Sequence, residues 1–358
     1  MSVRPLEYNL QVEPYKPGEA KLPGFDKPVK LASNENPFGP SPKAKAAFVE
    51  AASKLEIYPE PTARKLREAI AARYGIDPTR IMCGAGSDEI FYLLTRAYLA
   101  PGDEIVVTEH SFSIYEIAAK QSGAATRVAK DRGMDADVDA LLACVTPKTK
   151  ILFLANPNNP TGTYLPFSEV KRLHAGLPDS VLLVLDAAYA EYVRRNDYSS
   201  GLEMAGEFEN VLMTRTFSKI YGLAAARLGW CYGPQSVIDA LNRTRGPFNV
   251  STPAMMAGIA AMQDQDFADK SADHNERELA RVSEALRAMG VEVTPSAANF
   301  VLAHFGPGGA DRVDAHLRSR GYIVRGMKGY GLPDALRISI GSEEQNSGLL
   351  AALKAYFA

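Results

Sequence analysis

The stretch ILFLANPNNPTG, residues 151–162, joins a short apolar run to a polar, proline-rich turn. An apolar run of this length bounded by turn residues is typical of a strand that is buried on both faces of a parallel sheet. The stretch VLLVLDAAY, residues 181–189, repeats the arrangement, because five apolar residues lead into Asp186. Both stretches therefore predict strands that carry polar residues at their ends, where open α/β sheets bind ligands.

Further β-rich runs lie on either side of these two stretches. They are found at Glu104–Thr108, Val211–Arg215 and Gly229–Tyr232, and segments with helical spacing such as Phe167–Ala175 separate them. Helical spacing is also strong upstream, at Ser87–Leu99. Strands that alternate with helices predict an α/β fold with a mostly parallel central sheet.

The pattern changes beyond about Ser251, where a long helical stretch leads to short strands. The helical part covers Pro253–Met262 and Asp269–Met289, and the strands are predicted at Val291–Thr294, Asn299–Ala303 and Leu336–Ile340. This pattern predicts a second, smaller α+β domain.

The first 45 residues are rich in proline and glycine and show little periodicity, which predicts an extended arm. We therefore predict a large α/β domain at residues 46–250. The arm and the small domain take residues 1–45 and 251–358.

The composition excludes several classes of protein. Hydrophobic residues make up 46% and charged residues 23%, which is typical of a globular protein rather than a disordered one. A formal net charge of −2 gives no reason to expect a nucleic acid or an anionic membrane as partner. The N-terminus lacks a secretory signal, and the longest apolar runs are shorter than the roughly 20 residues of a membrane helix. We expect a soluble, cytoplasmic protein whose three cysteines are reduced thiols.

Several well-known site motifs are incomplete. In Gly84-Ala85-Gly86 the third glycine of the dinucleotide fingerprint is replaced by Glu89, and no Walker lysine follows. The five histidines have no metal-ligand spacing with each other or with cysteine, so no metal site is predicted.

One ordered set of polar residues remains, and each member follows a predicted strand. The set comprises Asn156–Gly162, Asp186–Tyr189, Thr216–Lys219 and Arg227. Each residue alone has an ordinary interpretation as a solvated charge, a turn former or a helix cap. Their order and spacing together favour a ligand site.

Chemically, this set suits a phosphorylated, electron-withdrawing pyridine that carries an aldehyde. Lys219, desolvated beside cationic Arg227, is expected to have a lowered pKa and to form a Schiff base. A buried carboxylate such as Asp186 would keep a ring nitrogen protonated. Hydrogen bonds to the phenolate oxygen of the ring are expected from Tyr189 and Asn156. The phosphate would be bound by Ser218, Arg227 and the amides of Gly86, Ser87 and Asp88 at a helix N-terminus.

This set resembles the fold-type I, class I and II aminotransferases, which use pyridoxal 5′-phosphate. Other segments are similar to the histidinol-phosphate aminotransferase branch, and the resemblance extends from near residue 14 to near residue 341. These segments are Pro14–Gly18, Ala32–Pro42, Tyr58-Pro59, Gly84–Glu89 and Leu336–Gly341.

The resemblance implies a homodimer with shared active sites that transfers the amino group of L-histidinol phosphate to 2-oxoglutarate. Lys219, Asp186 and Tyr189 would be catalytic, and Lys219 would carry the proton between the substrate and the cofactor. The resemblance implies the following further roles: Arg337 binds the α-carboxylate, Arg325 lies near the substrate phosphate, Tyr15 and Asn34 contact the substrate, Phe112 stacks on the pyridine, and Tyr58 reaches the cofactor phosphate of the partner subunit.

This sequence departs from the branch around the stacking ring and leaves alternatives open. The branch often has proline before this segment, whereas Glu109 and His110 precede it here. The branch often has tyrosine where Phe112 lies, and phenylalanine can stack but cannot hydrogen-bond. An aromatic-amino-acid aminotransferase is one alternative, and a phosphothreonine-type decarboxylase is a second. The effector domain of a transcription regulator is a third, although we expect no helix-turn-helix before residue 14 and the net charge gives no basic footprint.

Overall fold

The computed structural model describes residues 3–14 and 18–358. In this part of the chain the helices are α1 (Glu7–Leu10), α2 (Pro42–Ala51), α3 (Arg64–Tyr74), α4 (Ser87–Tyr98), α5 (Ile114–Lys120), α6 (Val138–Ala143), α7 (Phe167–Ala175), α8 (Leu202–Glu207), α9 (Gln235–Thr244), α10 (Thr252–Met262), α11 (Gln265–Ala288), α12 (Gly309–Ser319) and α13 (Glu343–Phe357). The strands are β1 (Val29–Lys30), β2 (Ile81–Gly84), β3 (Glu104–Thr108), β4 (Ala125–Ala129), β5 (Thr149–Ala155), β6 (Leu182–Asp186), β7 (Val211–Thr216), β8 (Gly229–Tyr232), β9 (Glu292–Thr294), β10 (Phe300–His304), β11 (Tyr322–Ile323), β12 (Arg325–Gly326) and β13 (Ala335–Ser339).

The central sheet has the strand order β2-β8-β7-β6-β5-β3-β4. Strands β4, β3, β5, β6 and β7 pair in parallel, and β8 runs antiparallel to both of its neighbours. The prediction of an α/β fold with a mostly parallel sheet is therefore confirmed.

Apolar side chains on both faces of the sheet explain why its central strands are continuous hydrophobic runs. In β6, Leu183 and Leu185 pack into one core while Leu182 and Val184 pack into the other, because successive strand residues point to opposite faces. Helices α3, α7 and α10 cover the first face, and α4, α5 and α9 cover the second.

A second sheet lies in the C-terminal part of the chain and has the strand order β12-β13-β10-β9, with antiparallel pairing throughout. Its apolar face packs against helices α11, α12 and α13. The second, smaller α+β part of the fold that the sequence predicted is therefore present.

The N-terminal segment differs in part from the predicted extended arm. Strand β1 pairs in parallel with β11, and the adjoining Leu31 and Ala32 are buried. Helix α2 begins at Pro42, where the side chain of Ser41 accepts a hydrogen bond from Ala44 N and caps the helix. Helix α10 packs on α2 and α3. The exact domain boundaries stay a prediction.

Two negative findings apply to the described residues. No helix in them is long and apolar enough to cross a membrane. No group of three or more histidine, cysteine, aspartate or glutamate side chains in them could hold a metal ion.

Candidate functional site

One pocket lies at the edge of the central sheet where β5, β6 and β7 end. These strands are parallel neighbours, so the residues that follow them meet at the same edge. The pocket is lined by Asp186 and Tyr189 from the end of β6 and by Ser218 and Lys219 from the turn after β7. The polar groups that the sequence separates by tens of residues therefore share one site.

Lys219 is the amine of this pocket. Its Nζ donates a hydrogen bond to the carbonyl oxygen of Ser33 at 3.3 Å and lies 5.7 Å from the ring centroid of Tyr189. Burial and, to a smaller extent, the positive charge of Arg337 lower the pKa of Lys219 to about 8. The sequence predicted a lowered pKa from desolvation and from the charge of Arg227. Desolvation is the largest cause, but the effect of Arg227 is smaller than that of Arg337.

Asp186 is a buried carboxyl group that holds two hydrogen bonds from side chains. The hydroxyl of Tyr115 donates to Oδ2 at 2.6 Å, and the hydroxyl of Thr214 donates to Oδ1 at 3.3 Å. Burial raises the pKa of Asp186 to about 6, while both hydroxyls oppose that rise because they stabilise the carboxylate. The sequence analysis identified Asp186 but assigned no role to Tyr115 or Thr214.

An anion cradle lies where the turn before α4 meets Arg227. Gly86 has φ +83° and ψ 165°, a backbone conformation that essentially only glycine adopts. A Cβ at this position would also lie 2.5 Å from Nη2 of Arg227, so the arginine side chain would have to shift. Nη1 of Arg227 donates to Oγ of Ser218 at 3.4 Å, and Nη2 lies 3.4 Å from Oδ2 of Asp88. Helix α4 begins at Ser87, so its first amides and its positive dipole end contribute to the cradle.

The second sheet contributes two arginines to the same pocket. Arg325 and Arg337 are register partners in the antiparallel pair β12–β13, and directly opposite residues lie on the same face of a sheet. Both line the pocket, together with Tyr330. Arg337 donates hydrogen bonds to Oδ1 of Asn159 and, at 3.0 Å, to the carbonyl oxygen of Ala32. Two further cations therefore line the pocket that Arg227 also lines.

Asn156 and Asn34, which were predicted to contact the ligand, form hydrogen bonds with other groups of the protein. Both ends of the Asn156 side chain bond the backbone of Leu165, at 3.1 Å from Nδ2 and 2.8 Å to Oδ1. Asn34 lines the pocket, yet its Nδ2 donates to the hydroxyl of Tyr189 at 2.9 Å. Neither interaction tests the ligand contacts predicted for these asparagines.

The three predicted aromatic residues differ in location. Phe112 lines the pocket and packs edge-on against Tyr115, with ring centroids 5.7 Å apart. Tyr58 is 79% exposed and stacks on Phe248, and it is absent from the residues that line this pocket. Tyr15 lies outside the described residues.

Comparisons with known proteins agree with this geometry. The sequence model of the family "Aminotransferase class I and II" matches residues 26–353. A histidinol-phosphate aminotransferase from Rhodopseudomonas palustris strain BisB5 is 53% identical over 355 residues, covering 98% of this chain and 97% of the relative. Its counterpart from strain HaA2 is 52% identical over 354 residues, with the same coverage.

The fold is similar to solved structures over nearly the whole chain. The crystal structure of histidinol-phosphate aminotransferase from Sinorhizobium meliloti in complex with pyridoxal-5′-phosphate superposes with a TM-score of 0.91 at 27% identity. That alignment covers 99% of this chain and 98% of the other.

Proposed function

Because the chain belongs to the class I and II aminotransferase family, we propose that it transfers the amino group of L-histidinol phosphate to 2-oxoglutarate. The observation that carries this proposal is the placement of Arg325 and Arg337 opposite each other in the pocket that holds Lys219. The names of relatives that are 53% and 52% identical over nearly the whole chain support it.

The residues present suit pyridoxal phosphate, which is the cofactor of this enzyme. Lys219 supplies a desolvated amine for its aldehyde, and Asp186 supplies a buried carboxyl group for its ring nitrogen. The close approach of Arg227 to Gly86 leaves a cradle of charge and helix amides for its phosphate. When bound, the cofactor supplies a ring that accepts electrons from the α-carbon of the substrate.

Lys219 is suited to move the proton at that α-carbon. With a pKa of about 8 it can lose and regain a proton near neutral pH, which is the requirement for a general acid and base. Asp186, with a pKa of about 6, is mainly a carboxylate at pH 7 and can hold a positive ring nitrogen. Tyr115 and Thr214 keep this carboxylate oriented through their hydrogen bonds.

Arg325 and Arg337 are suited to substrates that carry phosphate or carboxylate groups. A guanidinium group pairs bidentately with either anion, so one pocket can accept histidinol phosphate in one half-reaction and 2-oxoglutarate in the other. Arg337 is oriented for this role by Asn159 and by the carbonyl oxygen of Ala32. Phe112 lines the same pocket and offers an apolar ring to the cofactor.

We also propose a cytoplasmic homodimer whose two active sites are shared. Large apolar side chains are exposed on one stretch of the chain and on a neighbouring loop, which is typical of an interface. They are Phe48, Val49, Leu55, Ile57, Tyr58 and Phe248. Tyr58 lies outside this chain's own pocket, so a dimer would explain how it reaches a cofactor phosphate.

The substrate is tested by steady-state kinetics with 2-oxoglutarate as amino acceptor. We expect kcat/KM for histidinol phosphate to exceed that for phenylalanine and tyrosine. Arg325→Ala should lower kcat/KM for histidinol phosphate by roughly ten- to a hundredfold, because hydrogen bonds to charged groups contribute about 1.5–3 kcal/mol. The loss with phenylalanine should be much smaller.

Lys328→Ala is a matched control for this variant. Lys328 is also a cation in the segment after β12, but it is exposed and pairs with Asp311 at 2.7 Å outside the pocket. Its removal should leave all substrates unaffected. Equal losses for histidinol phosphate and phenylalanine in Arg325→Ala would instead favour the aromatic-amino-acid aminotransferase.

A further inference from the structure

A chain of hydrogen bonds joins the strand that carries Arg337 to the hydroxyl of Tyr189. Ser339, two residues after Arg337 on β13, accepts a hydrogen bond from the backbone N–H of Asn34 at 2.8 Å. Its hydroxyl donates to Oδ1 of Asn34 at 2.9 Å. Nδ2 of Asn34 in turn donates to the hydroxyl oxygen of Tyr189 at 2.9 Å. All three residues are buried, with at most 4% of their surface exposed.

The donors and acceptors in this chain have a fixed direction. Because Ser339 donates to Oδ1, the amide nitrogen of Asn34 faces Tyr189, and an amide nitrogen can only donate. The oxygen of Tyr189 therefore accepts, and its own hydrogen is left for a different acceptor. Within residues 3–14 and 18–358 no acceptor is recorded for that hydrogen, and Tyr189 lines the pocket.

The backbone holds Asn34 in this position. Asn34 has φ +55°, in the left-handed region that asparagine tolerates better than most residues. Nδ2 of Asn299 donates to the carbonyl oxygen of Asn34 at 2.9 Å. The neighbouring carbonyl groups of Ala32 and Ser33 accept hydrogen bonds from Arg337 and Lys219. The segment 32–34 therefore contacts three functional side chains of the pocket.

We propose that Asn34 and Ser339 are positioning residues that make Tyr189 a hydrogen-bond donor toward the phenolic oxygen of the bound cofactor. The proposal deepens the function proposed above and rests on it, because the acceptor belongs to pyridoxal phosphate. In this role the side chain of Asn34 acts through Tyr189 rather than on the substrate. A donor stabilises the ionised form of the oxygen that it contacts, so it lowers the pH at which the bound cofactor titrates.

Other charges also face Tyr189, and the test must separate them from the hydrogen bond. Arg337 favours the ionised form of the Tyr189 hydroxyl, whereas Asp186 and Asp88 oppose it, and the amine of Lys219 lies over its ring. None of these groups is altered by a substitution at position 34.

The test is a pH titration of the visible absorption band of the enzyme loaded with pyridoxal phosphate. Asn34→Asp keeps the size of the side chain and tolerates a positive φ, but its carboxylate accepts the hydrogen of Tyr189. We expect the midpoint of the titration to rise by about one to two pH units, since that is the range for losing a hydrogen bond to a charged group. Asn34→Gly, which is neutral and equally compatible with the backbone, should raise the midpoint in the same direction.

Tyr189→Phe controls for the negative charge that Asn34→Asp adds near the cofactor, because it removes the hydroxyl without adding a charge. It should raise the midpoint by a similar amount, and combining it with Asn34→Asp should produce no further rise. A rise that persists in the Tyr189→Phe background, or an unchanged midpoint in both Asn34 variants, would overturn the positioning role. A wild-type protein that binds no pyridoxal phosphate would instead overturn the proposed function, so the two failures are distinguishable.

Discussion

Replacing Lys219 with methionine should stabilise the cofactor-free protein. Burial lowers the pKa of Lys219 from 10.5 to about 8, so below pH 8 the folded state must hold a proton at a site that disfavours it. Each pH unit by which a pKa moves corresponds to about 1.36 kcal/mol, which gives a destabilisation of about 3 kcal/mol at neutral pH. Methionine preserves the length of the side chain and carries no charge.

The pH dependence of this gain follows from proton linkage. Between about pH 8 and 10.5 the unfolded chain binds a proton at Lys219 and the folded chain does not, so the stability of the wild type rises with pH. The advantage of Lys219→Met is therefore complete below about pH 8 and disappears as the pH approaches 10.5.

The assay is urea unfolding of the cofactor-free proteins at a fixed protein concentration, at several pH values from 6.5 to about 10.5. Lys65→Met, at an exposed position on α3, controls for the general effect of replacing a lysine. Equal unfolding free energies for Lys219→Met and the wild type at pH 7, or a difference that does not change with pH, would refute the reasoning.

Three further predictions concern the cradle, the carboxylate and the dimer. Gly86→Ala should raise the dissociation constant for pyridoxal phosphate about tenfold, because alanine is strained at φ +83° and ψ 165° and its Cβ would displace Arg227. Gly75→Ala, also at a positive φ (+67°) but in the left-handed helical region with open space around it, should affect stability alone. Asp186→Asn should leave the fold intact and slow proton removal by several orders of magnitude in stopped-flow measurements, and a near-normal rate would exclude the assigned role. Ile57→Asp should dissociate the proposed dimer and abolish activity, and sedimentation that shows an active monomer would contradict shared sites.

The elements that the sequence predicted well are those with a strong pattern of their own. Strands β3 and β8 and helix α7 have the predicted bounds, because each is an apolar run or an amphipathic repeat between clear turn residues. Strand β4 was missed because it lies at the edge of the sheet with only one of its five residues buried. Strands β1 and β12 have two residues each, which is too short for any periodicity.

The residues of the site also divide into those that have a local sequence pattern and those that do not. The residues proposed to contact the cofactor belong to short motifs with a fixed order, and the sequence therefore identified Lys219 and Asp186. Tyr115 and Asn159 act on another protein residue, and their partners lie 71 and 178 positions away. Such contacts depend on the packing of distant elements, so the motif Asn156–Gly162 includes Asn159 without indicating its partner Arg337.

Several residues of the pocket are held in states that lower the free energy of unfolding. Lys219 and Asp186 are held where their charged forms are poorly solvated, and Asn34 and Arg227 have positive φ angles of 55° and 49°. A left-handed conformation costs roughly 1–2 kcal/mol for most residues, and less for asparagine. Each of these features also suits the proposed chemistry, because it yields an amine that loses its proton easily, a carboxylate for the ring nitrogen, a hydrogen-bond donor or an approach to the phosphate cradle. The apolar cores on both faces of the sheet must offset these costs, so substitutions that relax the pocket should stabilise the protein while they weaken its chemistry.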